Sequence, residues 1–377
     1  MHVSVAGAID CDLHPPMPGV TGLLPFLDDY WRDQISNRHI DKLPFQLSSY
    51  PSTSPLSARP DWRPAPGQTL GQKPGAEPIR AHVLDPLGLS YAICNPLHGA
   101  VALFNNDMAA ALCSAVNDWV AKELLDAEPR LRASILLPAH DVELALREIE
   151  RLAPDRRFVQ VLFLAMGEAP LGRRSNWPLF AACERHRLAV GIHAGSTYRH
   201  APTYAGWPSY RVEDYVAQSG AFETQLLSLI AEGVFQKYAD LKVVLMESGF
   251  AWLPHFLWRV NKTWRGTRPE VPWIDRPPAE IVRDHVRFTL QPVDAPKGEP
   301  KVLARLIEHV GFDDFLLFST DYPHWQFDGE DVLPEGLGAS TIDKMLVDNA
   351  LDTYPRLREA AGGGAAHGGS ESEETVS

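Results

Sequence analysis

The chain has 377 residues, a formal net charge of −13, 45% hydrophobic residues and 22% charged residues. This length accommodates one large α/β domain with insertions or two smaller domains, and the composition is that of an ordinary globular protein. The acidic balance argues against a nucleic-acid partner, because phosphates require a basic surface. No apolar run reaches the ~18–20 residues of a membrane span, so we expect no membrane partner.

The cysteines and the first residues indicate the cellular compartment. The four cysteines have no C-x-x-C spacing, and three of them lie in apolar stretches, which predicts reduced and buried thiols. No basic segment followed by an apolar one opens the sequence, so we expect no secretory signal. Together these observations favour a cytoplasmic location.

Short apolar runs alternate with helical stretches along most of the chain. Asp141 has the position of an N-cap for an amphipathic helix, and further helices are expected over 177–187 and 212–238. Short, continuously apolar strands suit a parallel sheet that is buried on both faces. The eight predicted strands are 8–13, 91–95, 133–137, 158–164, 188–193, 242–246, 286–290 and 315–320.

Eight such units match a closed (β/α)8 TIM-type barrel better than an open doubly wound sheet. The glycine-rich G-x-G-x-x-G turn of a dinucleotide-binding sheet is missing after the first strand. We therefore predict a single barrel domain over 1–360. The segment 15–80 is rich in Pro, Ser and Gly and predicts a long insertion after strand one, folded over the barrel mouth. The segment 361–377 predicts a disordered tail.

Ionisable residues stand at the ends of several predicted strands, which is where the active sites of barrels form. Asp10, Asp12 and His14 alternate along the first strand and so share one face. Hydrophilic side chains aimed into an apolar barrel are costly unless they are paired or bound to a cation. A capped turn with solvated charges is the alternative interpretation of this spacing. Three later strands end in the same way, with His193, Glu247 and Asp321.

Five short motifs follow in order along the chain: Asp12-Leu13-His14, Gly191-Ile192-His193, Leu241 to Gly249, Ser319 to His324 and Asp348-Asn349-Ala350. Over about residues 8 to 357 the chain thereby resembles the amidohydrolase-related family. This is the branch of the amidohydrolase superfamily that includes aminocarboxymuconate semialdehyde decarboxylase and resorcylate decarboxylases. The resemblance implies a (β/α)8 barrel with a divalent metal at its mouth, a small-molecule substrate and, at the level of the family, a homodimer.

The resemblance also implies a set of metal ligands. Asp12 and His14 stand where the family has a His-x-His pair or its carboxylate variant, His193 matches the strand-five histidine, and Asp321 matches the strand-eight aspartate. The decarboxylases of the family have a basic histidine after strand six, where this chain has Glu247. Glu247 is therefore a fifth candidate ligand. A set this rich in oxygen accommodates Zn, Mn or Fe, with one or two ions per chain.

A metal-dependent hydrolase is the leading functional interpretation, with a small hydrophobic or cyclic organic acid derivative as substrate. Water activated by the metal would attack, Asp321 would act as general base, and Glu247, His98 or His324 would protonate the leaving group. Non-oxidative decarboxylation and oxygen activation at a non-heme iron site, with one or two irons, are the alternatives. A non-catalytic binding barrel is a further alternative, against which the retention of every ligand position argues.

Overall fold

The computed structural model describes residues 4–40, 62, 74–296, 298–324 and 332–364. One parallel sheet runs through it in the order β1 to β8, so each strand pairs with the next along the chain. This is the predicted (β/α)8 topology. The strands are β1 (Ile9–Leu13), β2 (Tyr91–Cys94), β3 (Leu131–Leu136), β4 (Phe158–Met166), β5 (Ala189–Ser196), β6 (Val243–Met246), β7 (Val286–Thr289) and β8 (Leu316–Leu317).

The first strand and the segment after the last strand close the sheet into a barrel. The backbone N–H of Asp321 donates to the carbonyl of Asp12 at 2.9 Å, and the N–H of His14 donates to the carbonyl of Tyr322 at 2.7 Å. These bonds continue the ladder where β1 meets the chain beyond β8. Closure therefore brings the end of the first strand against the end of the eighth.

Helices surround the barrel and cover the outer faces of its strands. Strands such as β3 and β4 are buried at every position, as expected for a parallel sheet with helices outside and packed side chains inside. The helices are α1 (Val20–Leu23), α2 (Asp29–Asn37), α3 (Ala76–Ile79), α4 (Asp85–Leu87), α5 (Asn106–Trp119), α6 (Val142–Leu152), α7 (Trp177–His186), α8 (Arg211–Ala231), α9 (Val234–Lys237), α10 (Leu253–Thr267), α11 (Pro278–His285), α12 (Pro300–Val310), α13 (Ala339–Asp343), α14 (Asn349–Thr353) and α15 (Pro355–Gly364).

Single residues determine where two of the helices begin or end. The side chain of Asp141 accepts hydrogen bonds from the backbone N–H groups of Glu143 and Leu144, which confirms the predicted N-cap of α6. The single helix predicted over 212–238 is wrong, because α8 and α9 are separate. Gly233 between them has a φ of 78°, a conformation that glycine adopts without steric cost and that ends the first helix.

One buried arginine ties the C-terminal helix to the end of the barrel opposite the strand carboxyl ends. Arg356, in α15, is 1% exposed. Its guanidinium donates to four backbone carbonyls, at 2.8 to 3.2 Å, and these belong to Ala153, Asp155, Phe158 and His186. The four carbonyls lie before β4 and β5, or at the start of β4. This arginine therefore fastens several chain segments at the bottom of the barrel.

Parts of the predicted insertion and tail lie outside the described residues, namely 41–61, 63–73 and 365–377. In the described part of the insertion, the ring of Trp62 packs edge-on against the ring of Tyr322, with 5.1 Å between centroids. All four cysteines are buried and free, as expected. None of the helices in the described ranges combines the length and the apolar character that a bilayer crossing requires.

Candidate metal centre

Five ionisable side chains predicted from the sequence meet at the carboxyl ends of the strands. Asp12 belongs to β1 and His193 to β5, while the other three follow directly or closely after β1, β6 and β8. Barrel closure brings β1 against β8, and β5 pairs with β6, so all four strand ends face the same space. The five side chains are those of Asp12, His14, His193, Glu247 and Asp321, and each is at most 7% exposed.

The Nε2 atoms of His14 and His193 face each other. The Nδ1 atom of His14 lies 3.1 Å from the carbonyl oxygen of Asn95, and Nδ1 of His193 lies 2.7 Å from the carbonyl oxygen of Ala194. A carbonyl oxygen only accepts, so each Nδ1 carries the proton and each Nε2 of the neutral ring presents a lone pair. The two Nε2 atoms are 3.3 Å apart.

Carboxylate oxygens surround these two nitrogens. His14 Nε2 lies 3.2 Å from an Asp321 oxygen, 3.3 Å from a Glu247 oxygen and 3.6 Å from an Asp12 oxygen. His193 Nε2 lies 3.4 Å from the same Glu247 oxygen and 3.8 Å from the same Asp12 oxygen. The centre is therefore a set of electron-pair donors that point at a common position.

Several of these oxygens accept no hydrogen bond from the described residues. They are Asp12 Oδ2, Glu247 Oε1 and both oxygens of Asp321. Buried acceptors that face one another without a donor are strongly unfavourable unless a proton or a cation lies among them. Ligands held at about 2.1 Å from one ion are roughly 3.0–3.4 Å apart, and the distances among the nitrogens and oxygens fall in or near that range. The residues thus fit a divalent cation.

The backbone at two of the carboxylates is strained. Glu247 has a φ of 51° and Asp321 a φ of 54°, in the left-handed region that residues other than glycine rarely adopt. Such conformations cost about 1–3 kcal/mol each and concentrate at functional sites. Both residues lie just beyond a strand, so the strained turn directs each carboxylate back over the barrel mouth.

The charges of the cluster shift its pKa values strongly when no cation is bound. Burial lowers the pKa of His14, but the neighbouring carboxylates of Asp321 and Glu247 outweigh it and hold the pKa well above its ordinary value. Burial also lowers the pKa of His193, but the charges of Glu247 and Asp12 outweigh it and raise the pKa above its ordinary value. Burial and the charge of Glu247 raise the pKa of Asp321 to about 7. A cation would replace the protons that these shifts retain on the histidines.

The two remaining candidate residues lie in different environments. His324 is at the edge of the centre, with Nδ1 3.6 Å from an Asp321 oxygen and 3.7 Å from a Glu247 oxygen. His98 instead accepts a hydrogen bond from the N–H of Ala100 and begins a short turn. Burial lowers the pKa of His98 to about 4, so its ring is neutral near pH 7.

Asp10 shares the face of Asp12 and His14 but has a different environment. Its carboxylate accepts from the backbone N–H of Thr320 at 3.0 Å and contacts the Thr320 hydroxyl at 2.6 Å. Burial raises the pKa of Asp10 to about 7. Asp10 therefore joins β1 to the end of β8 beneath the centre.

A mostly apolar cavity of about 300 Å³ opens at the ends of β3 and β4, and none of the five side chains of the centre lines it. Leu164 pairs in register with His193, and residues in register on neighbouring strands direct their side chains to the same face. The cavity wall at Leu164 therefore adjoins the histidine. Its other walls include the apolar side chains of Leu97, Val101 and Leu136, together with the ionisable His140, Glu168 and Arg173.

A family model described as amidohydrolase matches residues 9–356. The chain belongs to the amidohydrolase family. This confirms the resemblance seen in its motifs and makes the chain an enzyme of the amidohydrolase superfamily. Its fold and its cluster of carboxylates and histidines at the barrel mouth agree with that membership.

Relatives of this amidohydrolase include decarboxylases. Gamma-resorcylate decarboxylase from Polaromonas sp. strain JS666 is 25% identical over 278 residues, which are 71% of this chain and 83% of that protein. A crystal structure of an amidohydrolase from Mycobacterium avium subsp. paratuberculosis K-10 superposes with a TM-score of 0.68 at 21% identity, covering 92% of this chain and 99% of the other. The crystal structure of a dihydroxybenzoic acid decarboxylase from Polaromonas sp. JS666, with bound manganese and the inhibitor 2-nitroresorcinol, superposes with a TM-score of 0.62 at 20% identity. The match covers 93% of this chain and 97% of the other. At these identities the solved structures support the fold.

Proposed function

We propose that this amidohydrolase is a metal-dependent decarboxylase that removes CO2 from a hydroxylated aromatic acid without an oxidant. The observation that carries the metal dependence is the convergence of two bare imidazole nitrogens with carboxylate oxygens that lack donors. The activity of the gamma-resorcylate relative supports the reaction. Decarboxylation thus takes precedence over hydrolysis, which the sequence interpretation placed first.

One ion per chain fits the geometry better than two. The candidate ligands form two groups, one with Asp12 and His193 and one with Glu247, Asp321 and His324, and both groups include His14. A single imidazole nitrogen has one lone pair and binds one ion. The shared His14 favours one cation, and we assign as its ligands the four residues that the family resemblance implies, Asp12, His14, His193 and Asp321, with Glu247 beside them. Zinc, manganese and iron all suit this set of nitrogen and oxygen ligands.

The chain's own residues position the substrate and move the proton. When bound, the cation would supply a positive charge that holds the substrate's carboxylate and neighbouring hydroxyl oxygen. The ring would lie in the apolar cavity next to Leu164 and Leu136, which excludes water from the reacting carbon. Asp321 would take up a proton from solvent and pass it to that carbon as the bond to the carboxyl group breaks. The electron pair of the broken bond forms the new C–H bond, and CO2 leaves.

The test is an anaerobic assay of the manganese-loaded protein with 2,6-dihydroxybenzoate and other hydroxybenzoates. We expect release of CO2 and formation of the matching phenol, and in D2O we expect one deuterium at the carbon that lost CO2. Protein stripped with a chelator is the control and should be inactive. Full activity of the stripped protein would contradict the proposal, and so would an absence of CO2 release from every hydroxybenzoate.

Hydrolysis is the second candidate, and Glu247 is the observation that favours it. Its Oε1 atom lies 3.3 Å from His14 Nε2 and 3.4 Å from His193 Nε2, so a carboxylate base stands at the position where the family resemblance implies a histidine. A panel of lactones, esters and amides of aromatic acids separates the two reactions. Cleavage of these compounds without CO2 release identifies a hydrolase. Oxygen uptake that requires Fe(II) would identify an oxygenase instead.

A further inference from the structure

Asn95 contacts two of the proposed metal ligands at once. It directly follows β2 and its side chain is fully buried. The Nδ2 group donates to Oδ1 of Asp12 at 2.7 Å, and the backbone carbonyl lies 3.1 Å from Nδ1 of His14. The first contact fixes the rotation of the carboxylate, and the second fixes the tautomer of the imidazole. The sequence interpretation assigned no role to this residue.

Hydrogen bonds from β3 and β4 set the orientation of the Asn95 side-chain amide. Its Oδ1 accepts from the Ser134 hydroxyl and from Nε2 of Gln160 at 3.0 Å. Gln160 is itself oriented, because its Oε1 accepts from the Tyr354 hydroxyl at 3.3 Å. A flipped Asn95 amide would place its NH2 group against two donors.

These bonds form a directed chain in which every group donates toward Asp12. It begins at the hydroxyl of Tyr354, passes through the amides of Gln160 and Asn95, and ends on Asp12 Oδ1. All the members are buried, so water does not compete for the bonds. Within such a network each donor polarises the next, and the bond at the end gains strength.

We propose that Asn95 is the positioning residue of the metal centre, and that Gln160 and Tyr354 act through its side-chain amide on Asp12. This inference rests on the proposed metal-dependent function. It predicts a graded effect on cation affinity, because the influence of each group weakens with its distance along the chain of donors. Asn95 matters most, Gln160 less and Tyr354 least.

The test is calorimetric titration of metal-free protein with Mn²⁺. Partners that orient metal ligands typically change affinity about 10–100-fold when they are replaced. We expect a loss in that range for Asn95→Ala and a smaller loss for Gln160→Met, which keeps the shape and removes the donor. Tyr354→Phe removes only the first hydroxyl of the chain, and we expect a loss of at most about threefold.

Asn117 provides a matched control outside the barrel interior. It is equally buried, lies in α5, and donates to a Glu148 oxygen at 2.7 Å and to the carbonyl of Leu136 at 3.0 Å. Asn117→Ala therefore removes a comparable amide-to-carboxylate bond that touches no proposed ligand. We expect it to lower the melting temperature as much as Asn95→Ala does, while the affinity for Mn²⁺ stays within twofold of the parent.

A second readout reports the geometry of the site rather than its stability. The visible spectrum of the Co²⁺-loaded protein depends on the number and arrangement of ligands, and we expect it to change in Asn95→Ala and not in Asn117→Ala. Parent-like affinity and spectrum in Asn95→Ala would overturn the inference, as would equal losses of affinity in both alanine variants. If Asn95→Ala does not fold, parent-like affinity in both Gln160→Met and Tyr354→Phe overturns it. A parent chain that binds no cation would refute the metal centre itself.

Discussion

The buried charged groups at the mouth and at the bottom of the barrel differ in how completely they are hydrogen-bonded. At the mouth, Asp12, Glu247 and Asp321 hold carboxylate oxygens that accept no hydrogen bond from the described residues. At the bottom, the guanidinium of Arg356 donates to four backbone carbonyls within 3.2 Å. Both regions are sealed from water, so the difference lies in the pairing of the polar groups and not in their burial.

This difference implies that the contacts at the bottom stabilise the fold, whereas the arrangement at the mouth costs free energy. A buried acceptor without a donor costs free energy, and the strained backbone at Glu247 and Asp321 adds to that cost. A bound cation would offset this cost by giving the unpaired oxygens a positive partner. The bottom is complete by itself.

Asp321→Asn should have the largest effect at the mouth. We expect turnover to fall about 10³-fold, because the variant loses both a charged ligand and the proposed proton donor. The melting temperature of the metal-free protein should fall, because protonated His14 loses a carboxylate partner that lies 3.2 Å from its Nε2 atom. Assays of CO2 release and thermal melting measure the two effects. A metal-free variant that is as stable as its parent would show that Asp321 does not stabilise protonated His14.

Arg356→Met should have the largest effect at the bottom. Removing the guanidinium leaves four buried carbonyls without their donor, and we expect a loss of about 3–4 kcal/mol in the free energy of unfolding. Arg356→Lys should recover only part of this loss, because an ammonium group has fewer donors and a different geometry. Urea denaturation measures the change. Affinity for Mn²⁺ should stay unchanged in the lysine variant, and a large loss there would mean that the two ends are coupled.

Removing the metal should destabilise the parent protein. At a free Mn²⁺ concentration one hundred times the dissociation constant, the cation contributes about 2.7 kcal/mol to the folded state. We expect the melting temperature to fall on treatment with a chelator and to recover when Mn²⁺ is added back. His14→Ala is the control and should show no response to Mn²⁺. An equal response in that variant would place the binding site elsewhere.

Cation affinity should depend on pH more modestly. The neighbouring carboxylates raise the pKa of His14 and His193, so the metal-free protein keeps protons that the cation must displace. Affinity for Mn²⁺ should therefore rise with pH, by about tenfold per pH unit for each proton released. In metal-free protein the sign is reversed, because protonated His14 contributes stability that is lost as pH rises through its raised pKa. Calorimetry between pH 6 and 8 in two buffers counts the protons, and an affinity independent of pH would contradict the pKa shifts.

The sequence was sufficient to predict the barrel and the candidate ligands. Apolar runs alternating with helical stretches indicated eight strands, and each of them is present with boundaries close to those expected. Charged residues at strand ends were informative because parallel strands in a barrel all end at one mouth. Local rules also worked where one residue decides the conformation, as with the N-cap at Asp141. The same rules failed at Gly233, whose left-handed conformation divides a helix that periodicity predicted to be continuous.

The sequence determined that this chain is a barrel with a metal-type cluster at its mouth, because periodicity and strand ends are local properties. Only the tertiary structure decided which atoms of that cluster face each other. Asp10 bonds to Thr320 and does not join the cluster that contains Asp12. The Nε2 atoms of His14 and His193 face each other, and Asn95 donates to Asp12. All three arrangements depend on contacts between distant segments of the chain. Hydrogen bonds of this kind are set by how the closed sheet aligns its strands, and no spacing along the chain encodes them.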